Sequence, residues 1–145
     1  PHVAILGKLP GTTYYRNIDR FEEAEQLEDV IIMRFDNQLY FGNAAYFKDV
    51  IRALVKDNEP KIKYFFLDAK SMYDIDSSGL LALHEVYRYL SQRGVQLYIS
   101  GAIGPVRDML HKSGLLDEIG KDHHFMYLND AIEDYNLRKV TETCL

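Results

Sequence analysis

Two aspartates, two serines and a glycine lie close together in residues 74–79. A serine at a helix start can serve as a cap, because its oxygen accepts a hydrogen bond from an unpaired backbone N–H. It can also accept a phosphoryl group. Phosphate on Ser78 would gain from the helix dipole but would be repelled by Asp74 and Asp76. We predict a regulatory docking turn made of Asp76, Ser77, Ser78 and Gly79, with Ser78 as the phosphorylation candidate.

An enzymatic alternative uses the same residues. Asp74-Ile75-Asp76-Ser77 matches the Asp-x-Asp-Ser motif of haloacid-dehalogenase-type phosphatases, in which the first aspartate attacks phosphorus beside a magnesium ion. That nucleophile must lie directly at the end of a strand, whereas residues 69–73 intervene here. The chain is also short for the further acidic ligands and the cap domain of such enzymes. We therefore predict no enzymatic activity.

The turn is predicted to join a buried strand to an amphipathic helix. Residues 62–68 are almost continuously apolar, as in a strand that is buried on both faces. Apolar residues then recur at helical spacing over 80–90, and Gly94 follows as a C-terminal cap. Ser77 or Ser78 therefore lies at the N-terminus of this helix.

The remaining elements are predicted from the same kinds of signal. Asp36-Asn37 is a tight-turn dipeptide, so strands at 30–35 and 39–41 are expected to form an antiparallel hairpin. Residues 8–21 match neither period and are expected to be an ordered surface connection. Further strands are predicted at 2–7, 95–100 and 124–127, and further helices at 43–56, 105–113 and 130–137.

This order of elements predicts an α/β fold. Strands that alternate with helices form parallel pairs joined by crossovers, so the expected sheet is mixed, with a mainly parallel core and an antiparallel N-terminal hairpin. About four helices should cover it. With 145 residues, the chain is expected to be one domain, 1–145.

Composition and charge exclude several function classes. A net charge of −5 provides no basic surface for phosphate backbones, so no nucleic-acid partner is predicted. No window is apolar for long enough to span a membrane. The single cysteine, Cys144, excludes an internal disulfide and favours a reducing compartment. The five histidines lack metal-ligand spacing, so no metal site is predicted.

A second candidate site combines two helix starts. The helix N-termini at Ser78 and Ile103 follow strands that should be neighbours, and helix N-termini bind anions. We therefore expect a crevice for an anion or a nucleotide at Ser78, Gly101, Ile103 and Gly104. Its ligand would be a guanine or adenine nucleotide, with no cofactor required.

The motifs together resemble the STAS domain, which sulfate transporters share with anti-sigma-factor antagonists. The resemblance rests on Asp76-Ser77-Ser78-Gly79-Leu80 between a strand and a long helix, on Ser100-Gly101-Ala102, and on Ser113-Gly114-Leu115. The run from Val3 to Thr12, with Tyr15-Arg16-Asn17-Ile18 and Leu39 to Ala44, is similar to the C-terminal domain of SulP-type anion permeases. The short distance from Asp68 to Asp76 favours the bacterial type.

The resemblance implies a regulatory, protein-interacting domain on the cytoplasmic face of the inner membrane, attached to a SulP-family sulfate-type transporter. The start at Pro1 agrees with a C-terminal piece of a longer protein. Expected partners are the transmembrane domain of the same transporter, a cytoplasmic protein or kinase, and a second copy of the chain. Tyr14, Tyr15 and Phe21 are expected to be exposed and to form an intra- or intermolecular contact. The alternative is a free-standing anti-sigma-factor antagonist that is phosphorylated on Ser78.

Overall fold

The computed structural model describes the backbone of residues 3–144 and the side chains of residues 3–142. Within this range six strands form one sheet: β1 Val3–Lys8, β2 Tyr15–Asn17, β3 Val30–Phe35, β4 Tyr64–Asp68, β5 Gln96–Ser100 and β6 His124–Phe125. The same range contains the helices α1 Ala44–Asp57, α2 Ser77–Gln92, α3 Gly104–Lys112, α4 Leu115–Ile119 and α5 Leu128–Cys144. The predicted strand residue His2 lies outside the described residues.

The sheet has the strand order β2-β1-β3-β4-β5-β6. β3, β4, β5 and β6 are parallel, whereas β1 is antiparallel to both of its neighbours, β2 and β3. This arrangement confirms the predicted α/β class, with its mainly parallel core and its antiparallel N-terminal part. α1 and α2 connect successive parallel strands, and α3 and α4 lie between β5 and β6.

The predicted hairpin of residues 30–35 with 39–41 is wrong. Both edges of β3 are occupied, by β1 on one side and by β4 on the other. A two-residue hairpin turn also favours positive φ at its central residues, and within residues 3–144 positive φ occurs only at glycines. Leu39 instead forms an isolated parallel bridge with Ile75, beside the docking turn.

Two short elements were not predicted. The expected surface connection at residues 8–21 contains β2, which pairs with β1 in the register Lys8↔Tyr15 and Leu6↔Asn17. α4 brings the number of α-helices in the described chain to five, where about four were predicted. Three strand residues and five helix residues are too few to establish a period, so neither element has a clear sequence signal.

The sheet is buried on both faces. On one face α1, α2, α3 and α4 cover a core that includes Phe47, Leu83 and Phe65. On the other face α5 covers a smaller core, in which Tyr135 contacts the ring of Phe66 edge-on. Helices on both faces explain why β4 is apolar at nearly every position.

No helix within residues 3–144 is both long enough and apolar enough to cross a membrane. Of the three aromatic residues expected to form an intra- or intermolecular contact, Tyr14 is exposed. Tyr15 and Phe21 are half-buried in the domain itself, so little of their surface remains for a partner.

We expect two phenylalanines six residues apart to respond very differently to truncation. Phe47 is fully buried, with its ring centroid 5.1 Å from that of Phe35. Phe47→Ala should lower the free energy of unfolding by about 3–5 kcal/mol, because it leaves a cavity in the core. Phe41 is 81% exposed, so the control Phe41→Ala should change it by no more than about 0.5 kcal/mol. Urea denaturation followed by circular dichroism measures both, and equal losses would contradict this core assignment.

Candidate docking turn and edge cavity

Asp76 is the N-cap residue of α2. Its Oδ1 accepts a hydrogen bond from the Gly79 backbone N–H at 2.8 Å, and its Oδ2 accepts one from the Phe41 backbone N–H at 3.0 Å. These donors, Gly79 first, hold the pKa of the Asp76 carboxyl below its usual range. Ser77 and Ser78 are the first two residues of the helix. The serines therefore lie at the helix N-terminus, as predicted, but the cap is the aspartate.

Backbone hydrogen bonds attach the turn to the segment that follows β3. The Leu39 N–H donates to the Asp74 carbonyl at 2.9 Å, and the Asp76 N–H donates to the Leu39 carbonyl at 3.1 Å. Gly79 packs directly on this segment, since a Cβ added to it would lie 2.9 Å from both the Leu39 carbonyl carbon and Ile75 Cγ1. A glycine is therefore required where α2 begins.

The turn lies beside exposed apolar side chains. Phe41 is 81% exposed and Leu81 is 56% exposed. Leu81 lies one helical turn after Ser77, on the same face of α2. Ser77 is exposed and Ser78 is half-buried. We call Phe41, Ser77, Ser78 and Leu81 the docking patch. Phe41 was not among the predicted site residues, because residues 39–41 were expected to form a strand.

The phosphatase geometry is not formed at Asp74. β4 ends at Asp68, six residues earlier, and Asp74 Oδ1 accepts a hydrogen bond from the neighbouring Ile75 N–H at 2.9 Å. Asp76, the second aspartate of that motif, is occupied by capping α2. Within the described range, no three His, Cys, Asp or Glu side chains are grouped so as to hold a metal ion.

The predicted crevice is only partly assembled. Gly101 and Ile103 line a cavity of about 450 Å³, whereas Ser78 and Gly104 are not among its lining residues. Gly101 has a φ of +78°, and a Cβ on it would lie 2.9 Å from the Lys70 backbone nitrogen. The position therefore needs glycine both for its conformation and for this close approach. The anion or nucleotide crevice stays a prediction.

This cavity is also lined by charged residues that were not among the predicted site residues. Asp68 is only 4% exposed, and its Oδ1 accepts a hydrogen bond from the Lys70 N–H at 3.1 Å. Burial raises the pKa of Asp68, while that N–H and the charges of Lys70 and Arg34 act against the rise. Arg16 also lines the cavity. The one sequence signal for this cavity was Asp68, an aspartate at the end of a strand that is predicted to be buried.

The STAS domain model matches residues 22–131, and the chain therefore belongs to the STAS domain family. High affinity sulfate transporter 2 of Stylosanthes hamata is 37% identical over 93% of this chain and 22% of its own length. A probable sulfate transporter of Mycobacterium tuberculosis is 30% identical over 95% of this chain and 25% of its own length. The chain thus spans about a fifth to a quarter of the length of these relatives.

Solved structures share the fold. The structure of SLC26A9 superposes with a TM-score of 0.84 at 19% identity, covering 100% of this chain and 26% of the other. A putative anti-sigma factor antagonist from Thermotoga maritima superposes with a TM-score of 0.65 at 21% identity, covering 76% of this chain and 90% of the other. The STAS fold thus occurs both within a much longer chain and as nearly an entire one.

Replacing the cap and the serines separately tests the assignment of the N-cap. Asp76→Ala should lower the free energy of unfolding by about 0.5–2 kcal/mol, because the Gly79 N–H loses its acceptor. Asp76→Asn keeps an acceptor and should cost less. Ser77→Ala and Ser78→Ala should each change stability by no more than about 0.5 kcal/mol. Chemical denaturation measures all four, and a Ser78→Ala loss as large as that of Asp76→Ala would make the serine a cap.

Proposed function

We propose that this chain is the regulatory STAS domain of a SulP-type sulfate transporter, on the cytoplasmic face of the inner membrane. The main support for this proposal is that a sulfate transporter matches 93% of the chain at 37% identity, while the chain spans only 22% of that transporter's length. In this proposal the rest of such a protein carries sulfate, and this domain adjusts the rate. A single cysteine fits a reducing compartment.

The docking patch is the surface through which regulation acts. Phe41 and Leu81 supply exposed apolar area, and Asp74 and Ser77 supply an exposed polar margin. Exposed apolar side chains that form one contiguous patch are typical of protein contact sites, and in this proposal Phe41 and Leu81 belong to one such patch. The occupant in this proposal is the transmembrane domain of the same transporter, and a cytoplasmic protein or a second copy of the chain is a further candidate.

Phosphorylation of Ser78 would weaken that contact. A phosphoserine carries about −1.5 to −2 charges near neutral pH, and Asp74 and Asp76 already place carboxylates in the same turn. The added charge would have to be desolvated within a partly apolar interface, which is unfavourable. A coupling free energy of about 1–3 kcal/mol between patch occupancy and transport is enough for a large regulatory effect.

Sulfate uptake by the full-length protein that contains this chain tests the proposal. Ser78→Glu and Phe41→Ala should each change the uptake rate about fivefold or more, because each weakens the same contact. Leu137→Ala is the matched control, since Leu137 is 70% exposed on α5, away from the patch, and its removal should leave uptake unchanged. Membrane abundance is measured by immunoblot. Unchanged uptake in both patch variants at normal abundance would refute regulation through this surface.

The second candidate is a free-standing anti-sigma-factor antagonist. The favouring observation is that Ser78, half-buried at the second position of α2, is not needed as a cap. The fold is also shared with a putative anti-sigma factor antagonist. In this role an anti-sigma-factor kinase would phosphorylate Ser78 and so release its partner.

Phosphorylation of the 145-residue chain separates the two candidates. If the chain is an antagonist, incubation with ATP and a purified anti-sigma-factor kinase should add one phosphate, detected by mass spectrometry. Ser78→Ala should abolish the mass shift and Ser77→Ala should retain it, because the two hydroxyls lie at successive helical positions. A mass shift that persists in Ser78→Ala, or no shift in the unsubstituted chain, would count against the antagonist.

A further inference from the structure

The cavity lined by Asp68, Gly101 and Ile103, which we call the edge cavity, lies where β3, β4 and β5 end. Its wall is contributed by separate parts of the chain: Arg16 from β2, Arg34 from β3, Asp68 and Lys70 from the end of β4, and the start of α5. Its volume of about 450 Å³ is within the range of roughly 300–1,000 Å³ that is usual for small-molecule sites. The carboxyl ends of parallel strands are also where α/β proteins bind ligands.

The cavity is lined by two cations that make no close ion pair among the described residues, although the charge of Lys70 acts on the carboxylate of Asp68. Arg34 makes a two-pronged ion pair with Asp36, at 2.6 and 3.0 Å, and so is already satisfied. Within the described range, neither Arg16 nor Lys70 forms an ion pair with a carboxylate. A ligand that bears a negative group would therefore find two partners here.

The same cavity contains a carboxyl group that is 96% removed from solvent. Asp68 lines the cavity although it is only 4% exposed. Its Oδ1 is bonded to the Lys70 N–H, and no hydrogen bond to Oδ2 occurs within the described residues. A purely anionic ligand would face repulsion from this carboxylate in a poorly solvated setting. A ligand with a cationic donor would instead compensate its burial.

Exposed apolar side chains line part of the cavity. Ile103, Met126 and Tyr127 are among the lining residues and are each more than half exposed, at 63%, 54% and 65%. Exposed apolar side chains around a charged interior suit a ligand with a charged end and an apolar end. The residues thus specify three features in one ligand, namely a cationic donor, an anionic group and an apolar portion.

We propose that the edge cavity binds a small zwitterion of the α-amino-acid type with an apolar side chain. The ammonium group donates to Asp68, the carboxylate pairs with Arg16 and Lys70, and the side chain contacts Ile103 and Tyr127. This site is separate from the docking patch, and its existence does not depend on the function proposed above. The ligand class also differs from the nucleotide expected from the sequence, because an ammonium group brings a full positive charge to the buried carboxyl group, whereas a nucleotide carries no positive charge at neutral pH.

Calorimetric and NMR titration of the 145-residue chain tests the ligand class. L-leucine, L-methionine and L-phenylalanine are the probes, and we expect at least one to bind saturably and to shift the amides of residues 68–70 and 101–103. The deaminated analogue 4-methylpentanoate and the decarboxylated analogue 3-methylbutylamine should each bind about tenfold or more weakly than leucine. No saturable binding of the three probes, equal binding of either analogue, or binding of GTP, ATP or inorganic sulfate in their place would overturn the proposal.

Charge-removing variants locate the site. Asp68→Asn keeps an acceptor for the Lys70 N–H while removing the charge, and Arg16→Gln alters only the edge strand β2. Each should weaken binding of the best probe about tenfold or more. Lys63→Gln is the control, because Lys63 is exposed and does not line the cavity, and it should bind normally. If Asp68→Asn fails to fold by circular dichroism, Arg16→Gln decides the question. Normal binding by Arg16→Gln would place the ligand elsewhere and overturn the proposal. Ser78→Glu should bind normally, because Ser78 does not line the cavity.

Discussion

Burial of β3, β4 and β5 on both faces determines where this domain can place polar chemistry. Each of these strands is hydrogen-bonded on both edges and covered by helices on both faces. A charged side chain in the middle of such a strand would be desolvated between two apolar cores, so the charged residues of these strands lie at or near the strand ends. Asp68 and Ser100, the buried polar residues of the described chain, both lie at carboxyl ends and are opposite each other in register. The edge cavity and the docking turn follow from the same constraint.

Asp76 links the two connections that leave this edge. Its carboxylate accepts one hydrogen bond from the start of α2 and another from Phe41, which belongs to the segment between β3 and α1. A single side chain therefore satisfies two backbone donors that are 38 residues apart in sequence. The link holds the backbone of Phe41 close to the start of α2, so the apolar and the hydroxyl-bearing parts of the docking patch are presented together. A preformed surface loses less conformational entropy when it binds.

The two candidate sites lie on opposite sides of the sheet. Successive residues of a strand face opposite sides of the sheet. In β4, Leu67 belongs to the core under α2 and Phe66 belongs to the core under α5. Asp68 therefore faces the α5 side, while the docking patch belongs to α2 and the segment before α1. A partner on the patch and a small molecule in the cavity would not compete for space. Residues 69–75 join the two sites directly, through the connection between β4 and α2.

The position of the turn at residues 74–79 could be predicted because its residues are contiguous. Hydrophobic periodicity placed a strand before residues 74–79 and a helix after them, and both elements are present. The choice between serine and aspartate as the cap could not be made in the same way, since both residue types are good caps. In the structure the Gly79 N–H donates to Asp76, whose second carboxylate oxygen also accepts from Phe41 in another connection.

The sequence by itself determined the α/β class, the parallel core and the position of the turn, because these depend on local periodicity and turn residues. Only the tertiary structure decided that β3 pairs with β1 rather than with residues 39–41, and that Arg16, Asp68 and Lys70 surround one cavity. Strand pairing depends on which edges remain free once the sheet assembles. A cavity built from separate elements has no contiguous sequence pattern, since its residues become neighbours only after folding.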